Sequence, residues 1–291
     1  MKLQFSKSYL SYQEQIELLK SRNLEILDSN YALKKLSNIN YYRLSAYFYP
    51  FFDQKDTFRK DVTFEQIMQL YYFDKEFRTL VFFAIEKIEV YLRTQITRVV
   101  SEENGVFGYV DKNIFHNENL HISLLEAIKS ETSRSKEVFV KDFYDRYEEE
   151  YLPVWAMVEI VSFNTLSKLF ANLKEPIRAK IVKDMGIKPF VFQRWLHTFT
   201  YVRNICAHHS RLWNKMLAIE PMIPKNQKLF QNINNQKIFF VLTMILFILE
   251  KIDSEEFDFK KELKHLLDKY SIVDIKAMGF SDTWKELEIW K

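Results

Sequence analysis

Four glycines and six prolines are all that interrupt these 291 residues. A β-sandwich or barrel needs a turn about every eight to twelve residues. Gly105, Gly108, Gly186 and Gly279 with six prolines cannot supply that many. Long unbroken segments remain, so the chain is expected to be all-α. With 47% hydrophobic and 16% aromatic residues it can bury a sizeable core.

Local signals place the helices. Ser11-Tyr12-Gln13-Glu14 has the form of a capping box and opens a short helix to about Ser21. A second short helix is expected over Tyr31 to Leu36. The aromatic block from Asn40 to Tyr49 is ended by Pro50, and a loop or small hairpin follows to Val62. Thr63-Phe64-Glu65-Gln66 offers another box. After it Ile67, Leu70, Tyr71, Phe77, Val81, Ala84, Ile85, Ile88, Leu92, Ile96 and Val99 keep three-and-four spacing. That pattern predicts one helix of about nine turns and about 50 Å, a length suited to a bundle or a dimer interface. Gly105 and Gly108 end it.

Charged helices are expected near Leu120 to Glu131 and Lys136 to Glu149. Pro153 reads as the first residue of a helix running to about Leu173. Shorter ones are expected at Ile177 to Met185 and Pro189 to His208. After Ile238 come one buried and one solvated helix. A small N-terminal module over residues 1–62 and a helical domain over 63–291 are the expected division.

Cys206, the single cysteine, excludes an intramolecular disulfide and a cysteine-based zinc site. The N-terminal MKLQFSKSYLSYQEQ lacks the apolar run of a signal peptide. The longest apolar stretch, Ile238 to Leu249, falls short of the roughly twenty residues a bilayer core requires. A membrane-active toxin is therefore disfavoured, and a reducing, cytoplasmic setting is expected. Net charge is only +3, so any nucleic-acid signal has to be local.

The chemistry concentrates at Arg203-Asn204-Ile205-Cys206-Ala207-His208-His209. Metal-independent RNA cleavage needs a base for the 2′-hydroxyl, a cation for the phosphorane and an acid for the leaving oxygen. Histidine suits the proton transfers. Arginine forks onto two phosphate oxygens and suits the developing anion. The spacing has a difficulty, because residues five apart on a helix point about 140° apart. Asn204 and His208 share a face; Arg203 and His208 do not. Either the helix ends near Ala207, or the two side chains meet in a cleft that another element or subunit completes.

Around this core the string Arg203-Asn204-Ile205-Cys206-Ala207-His208-His209-Ser210-Arg211-Leu212-Trp213-Asn214 resembles the signature of the abortive-infection proteins of the AbiD/AbiF type, within the HEPN superfamily. Asn40-Tyr41-Tyr42-Arg43-Leu44-Ser45-Ala46-Tyr47 agrees with it. So do Leu152-Pro153-Val154-Trp155 with Glu159, Ser162 and Leu166, and Glu86-Lys87-Ile88-Glu89 with Arg93. The resemblance implies a HEPN-like helical bundle and an R-x4-6-H ribonuclease motif, like that of HEPN toxins and type VI CRISPR effectors. Arg203 and His208 would then be catalytic and Asn204 a supporting polar residue; the doublet leaves open whether His208 or His209 is the base. In that superfamily two motifs meet across a dimer or between two domains; only one stands out here, so a homodimer with a composite cleft is implied, together with phage defence and a regulatory noncoding RNA as a further partner. The alternative is a non-catalytic RNA-binding or toxin–antitoxin interaction protein using the same cleft.

Other residues have two readings. Glu86, Glu89 and Arg93 form a polar stripe that either orients Arg203 or contains an ion pair between Glu89 and Arg93; Glu159 and Ser162 are similar. Lys174, Arg178, Lys180, Lys183, Lys188 and Arg194 face only Glu175 and Asp184, and form a phosphate-binding patch or a solvated face. His197 lies eleven residues, about 16 Å, before His208 on the same face, able to touch RNA but not to share an ion. Arg211 could add a phosphate contact, whereas Trp213 is expected to pack. Tyr41 to Phe52, with Arg43, could stack on unpaired bases, although packing is the expected role. No metal or cofactor is called for.

Overall fold

The computed structural model describes residues 8–252 and 257–291. Among the described residues it has twelve α-helices and a single two-stranded sheet. The chain is all-α. It divides into two compact units, Met1–Phe77 with Lys264–Asp274, and Arg78–Leu263 with Ile275–Lys291. The first division falls inside one helix.

The first unit begins with α1 (Tyr12–Ser21), where Ser11 and Glu14 form the reciprocal capping box. Helix α2 (Ser29–Asn38) starts at Asp28, whose carboxylate accepts from the Asn30 and Tyr31 amides, and it packs on α1. Helix α3 (Tyr41–Ser45) opens the aromatic block. Leu44, Tyr47, Phe48 and Phe51 are buried there, while Tyr42 and Tyr49 stand exposed. The expected hairpin is β1 (Phe52–Gln54) paired antiparallel with β2 (Thr57–Phe58). The Phe58 ring meets Phe48 at 5.4 Å and Phe52 at 4.8 Å, geometries that favour aromatic pairs.

Helix α4 (Phe64–Asn104) is 41 residues long, about 60 Å at 1.5 Å per residue. The Thr63 box starts it: Gln66 N donates to Thr63 Oγ1 at 3.2 Å, and Thr63 N donates back to Gln66 Oε1 at 3.0 Å. Gly105, at φ 82°, ends it in a conformation that costs glycine nothing. Ile67, Leu70, Phe77, Val81, Ala84, Ile85, Ile88, Leu92, Ile96 and Val99 are all buried.

In the second unit follow α5 (Glu118–Arg134), α6 (Val138–Arg146), α7 (Val154–Ile160), α8 (Phe163–Asn172), α9 (Glu175–Ile181), α10 (Pro189–Ala207) and α11 (Ile238–Leu249); the last helix, α12 (Phe259–Lys269), is divided between the units after Leu263. Helix α8 packs on α5 and α10. The single helix expected from Pro153 to Leu173 is in fact two, and Pro153 is an N-cap rather than the first helical residue. At the break Val161 is extended (φ −73°, ψ 145°) and Ser162 caps α8. Distant side chains satisfy the opened backbone. Glu131 of α5 accepts from the Ser162 amide, from Ser162 Oγ at 3.3 Å and from Thr165 Oγ1 at 2.6 Å. Arg93 Nη2 donates to the Val161 carbonyl at 3.0 Å.

All twelve residues of α11 are buried. Its one hydroxyl, Thr243 Oγ1, donates to the Phe239 carbonyl at 2.9 Å and accepts from Trp290 Nε1 at 3.1 Å, so a polar atom inside an apolar helix is satisfied. Phe239, Phe280, Trp284 and Trp290 form an aromatic cluster against that helix. Among the described residues no helix is long and apolar enough to cross a membrane.

Candidate functional site

Helix α10 follows the N-cap Lys188 and begins at Pro189, where a missing amide costs nothing. Phe192, Trp195, Leu196, Phe199 and Val202 anchor it in the core, and Trp195 Nε1 donates to the Met222 carbonyl at 2.8 Å. The helix stops at Ala207, with His208 as its C-cap. His209 takes the left-handed conformation at φ 55°. Its amide donates to the Cys206 carbonyl and that of Ser210 to the Ile205 carbonyl, each at 3.0 Å. This is a Schellman motif, in which glycine usually occupies the left-handed position. An L-residue there costs about 1–2 kcal/mol, and a need merely to stop the helix does not account for histidine.

We therefore expect His209→Gly to leave the melting temperature unchanged or raised. His209→Val should lower stability by about 1–2 kcal/mol, since a β-branched residue resists positive φ. Thermal unfolding followed by circular dichroism checks the pair. Equal losses in both variants would show that the left-handed turn is not what governs the position.

Beyond the turn the chain is pinned. Leu212 and Trp213 are buried, and Asn214 is again left-handed at φ 49°. Lys237 Nζ donates to Asn214 Oδ1 at 3.3 Å and to the Ala277 carbonyl at 3.1 Å. Trp213 thus packs, as expected, and the histidine turn lies between a core helix and a buried anchor.

The two halves of the motif point apart. Arg203 continues the face of Leu196, Phe199 and Thr200, all buried. Its guanidinium carbon lies 5.4 Å from the centre of the Phe82 ring of α4, and its Nε is buried with no hydrogen-bond partner. Asn204 and His208 are exposed on another face. That face continues upstream through half-buried Tyr201 and exposed His197, Arg194 and Phe190, at alternating steps of three and four residues. Arg194 lies over the Phe190 ring at 5.9 Å.

Of the α4 stripe, Glu86 is exposed. Glu89 and Arg93 form an ion pair whose side chains are only 13% and 12% exposed. Phe82, one turn before Glu86, continues this stripe at the same spacing. Nothing in the sequence marks it, because the stripe is conspicuous by its charges and Phe82 is an aromatic among aromatics. Glu159 is exposed on α7.

The basic patch is thinner than the sequence indicated. Arg178 is buried, donating to Gln193 Oε1 at 2.6 Å and Glu175 Oε2 at 2.7 Å. It is a packing residue rather than a surface cation. Lys180 is exposed but ion-paired with Glu103. Lys174, Lys183, Lys188 and Arg194 are exposed. Arg211 is half-buried. Arg43 belongs to the first unit and is also half-buried. Among the described residues no three His, Cys, Asp or Glu side chains gather into a group able to hold a metal ion.

A family model described as Abi-like protein matches residues 34–214, more than half of the chain, from α2 to the asparagine that follows Trp213. The chain belongs to the Abi-like protein family. Among curated proteins and among solved structures no match is found. The matched span of this Abi-like protein takes in the whole of α4 and α10, and hence Phe82, Arg203 and both histidines. It ends where the buried anchor ends. Membership suggests a role in abortive infection, a defence against phage.

Proposed function

We propose that this Abi-like protein is a HEPN-type RNA endonuclease of abortive infection, with each active cleft shared between two copies of the chain. One observation carries the reading. The last turns of α10 hold an arginine without a carboxylate partner, but turn it toward α4, while Asn204 and His208 face outward. A phosphate seated on Arg203 is then poorly placed for the histidines of the same chain. The exposed stripe from Phe190 to His208 offers the surface by which a second copy could bring its own, and a two-fold dimer built this way has two equivalent clefts.

The chemistry follows from the side chains. One imidazole of the His208–His209 pair takes the 2′-hydroxyl proton, and the 2′-oxygen attacks the adjacent phosphorus. Arg203 of the partner subunit holds two non-bridging oxygens while negative charge accumulates on the phosphorane. The P–O5′ bond breaks, and the other imidazole returns a proton to O5′. The products are a 2′,3′-cyclic phosphate and a 5′-hydroxyl. Asn204, on the face of His208, supports the reacting groups by hydrogen bonding. The exposed cations Lys183 and Arg194, with His197, supply sequence-independent phosphate contacts.

The test is incubation of the purified protein with single-stranded and structured RNAs in EDTA, with the product ends identified. Cyclic phosphate ends and a dimeric mass by light scattering are expected. An inert protein that retains RNA in a gel shift would replace this reading with non-catalytic RNA binding. A strict monomer that still cuts would remove the shared cleft.

A further inference from the structure

Three basic side chains of the second unit differ from Arg203 in what neutralises them. Arg93 is paired with Glu89, Arg178 with Glu175 and Lys180 with Glu103. Arg203 has no such partner among the described residues: its guanidinium rests on the Phe82 ring, and its Nε is buried without an acceptor. The bare nitrogen alone does not set it apart, since Arg93 Nη1 and Arg178 Nε also lack an acceptor; the contrast lies in the partner, a ring in place of a carboxylate. A carboxylate there would neutralise the charge and occupy the planar fork. An aromatic face does neither, because it attracts the cation through its quadrupole and leaves the N–H edge free.

We infer that Phe82 is the positioning residue of the site: it holds the Arg203 guanidinium in one plane by cation–π contact and keeps its charge undischarged for a phosphate diester. This rests on the reading of Arg203 as the phosphate-binding group. Phe82 itself touches no reacting atom. Its place on α4, one turn before Glu86 and in register with the Glu89–Arg93 pair, ties the arginine to a helix otherwise locked into the core. A leucine there would keep apolar bulk but lose the quadrupole, and the guanidinium would sample other rotamers.

Phe82→Leu and Phe82→Tyr separate the role from simple packing. Cleavage in EDTA should fall about tenfold in Phe82→Leu, the rate equivalent of one partly buried cation–π contact. The loss should appear in kcat/KM, with the melting temperature little changed. Phe82→Tyr should recover the rate. The Arg203 Nε–H proton resonance, assigned by its absence in Arg203→Lys, should be shifted upfield by the ring in the parent and in Phe82→Tyr, and lose that shift in Phe82→Leu. Phe82→Leu that cuts like the parent, or an Arg203 resonance indifferent to the ring, overturns the inference. If the parent cuts no RNA, the endonuclease reading fails separately, and inorganic phosphate becomes the probe. Phosphate should then move the Arg203 resonance at about tenfold lower concentration in the parent than in Phe82→Leu; equal responses, or none in either, overturn the positioning role.

Discussion

Two inactive variants, Arg203→Ala and His208→Ala, are expected to restore one another when co-expressed. Alone, each should cut RNA at less than about 1% of the parental rate, since losing a preorganised cation costs about 10²–10³ and losing a general acid or base about 10²–10⁴. In a dimer whose clefts pair Arg203 of one copy with the histidines of the other, a mixed dimer keeps one intact cleft. It also concentrates both lesions in the second. Random pairing makes about half of all dimers mixed, so about a quarter of parental activity should return. Differently tagged chains, purified through both tags, isolate the mixed dimer, for which about half is expected. A cleft built within one chain gives no recovery, because every cleft then carries one lesion. Single-turnover cleavage in EDTA reads the outcome. The reasoning comes from helix geometry: Arg203 rests against Phe82 while Asn204 and His208 face outward, as the separation of about 140° requires.

What the sequence made legible here is what neighbours in sequence decide. The boxes at Ser11 and Thr63 need only residues three apart, and both form. The long apolar repeat of α4 needs only a constant period, and it runs as one helix to Gly105. The end of α10 at Ala207, one of two possibilities the spacing leaves open, is present with a left-handed His209, yet it does not bring Arg203 and His208 to one side. What stayed hidden depends on partners far along the chain. The break at Val161 and Ser162 exists because Glu131 and Arg93, from two other helices, take up the freed backbone groups. No periodicity within residues 153–173 reports that. Arg178 belongs to the same class: six cations in a short stretch look like a surface, until Gln193 and Glu175 enclose one of them. Phe82 was hidden for a different reason. Its role lies in what it touches, and a ring among so many rings has no mark in the sequence.

Trp213→Ala should be the most destabilising change near the site, by about 3–5 kcal/mol, the range for a large aromatic removed from a packed core. The side chain is 1% exposed, and Leu212 beside it is fully buried. Chemical denaturation should show the loss as a lower midpoint. The effect on cleavage should be separable from it. At a temperature where the variant remains folded, a turn freed from its anchor would let His208 and His209 move, and small displacements of catalytic groups cost about 10²-fold. Trp213→Phe keeps a ring in the pocket and should retain most of both stability and rate. If Trp213→Ala cut at the parental rate while folded, the anchor would serve the fold alone, and the histidine turn would hold its shape without it. The geometry argues against that. His209 is an L-residue in a conformation that glycine prefers, and such strain persists only where the surroundings over-determine it. Here those surroundings are α10 on one side and, on the other, Leu212, Trp213 and the Lys237 contact to Asn214. Removing the tryptophan takes away the larger part of the second side.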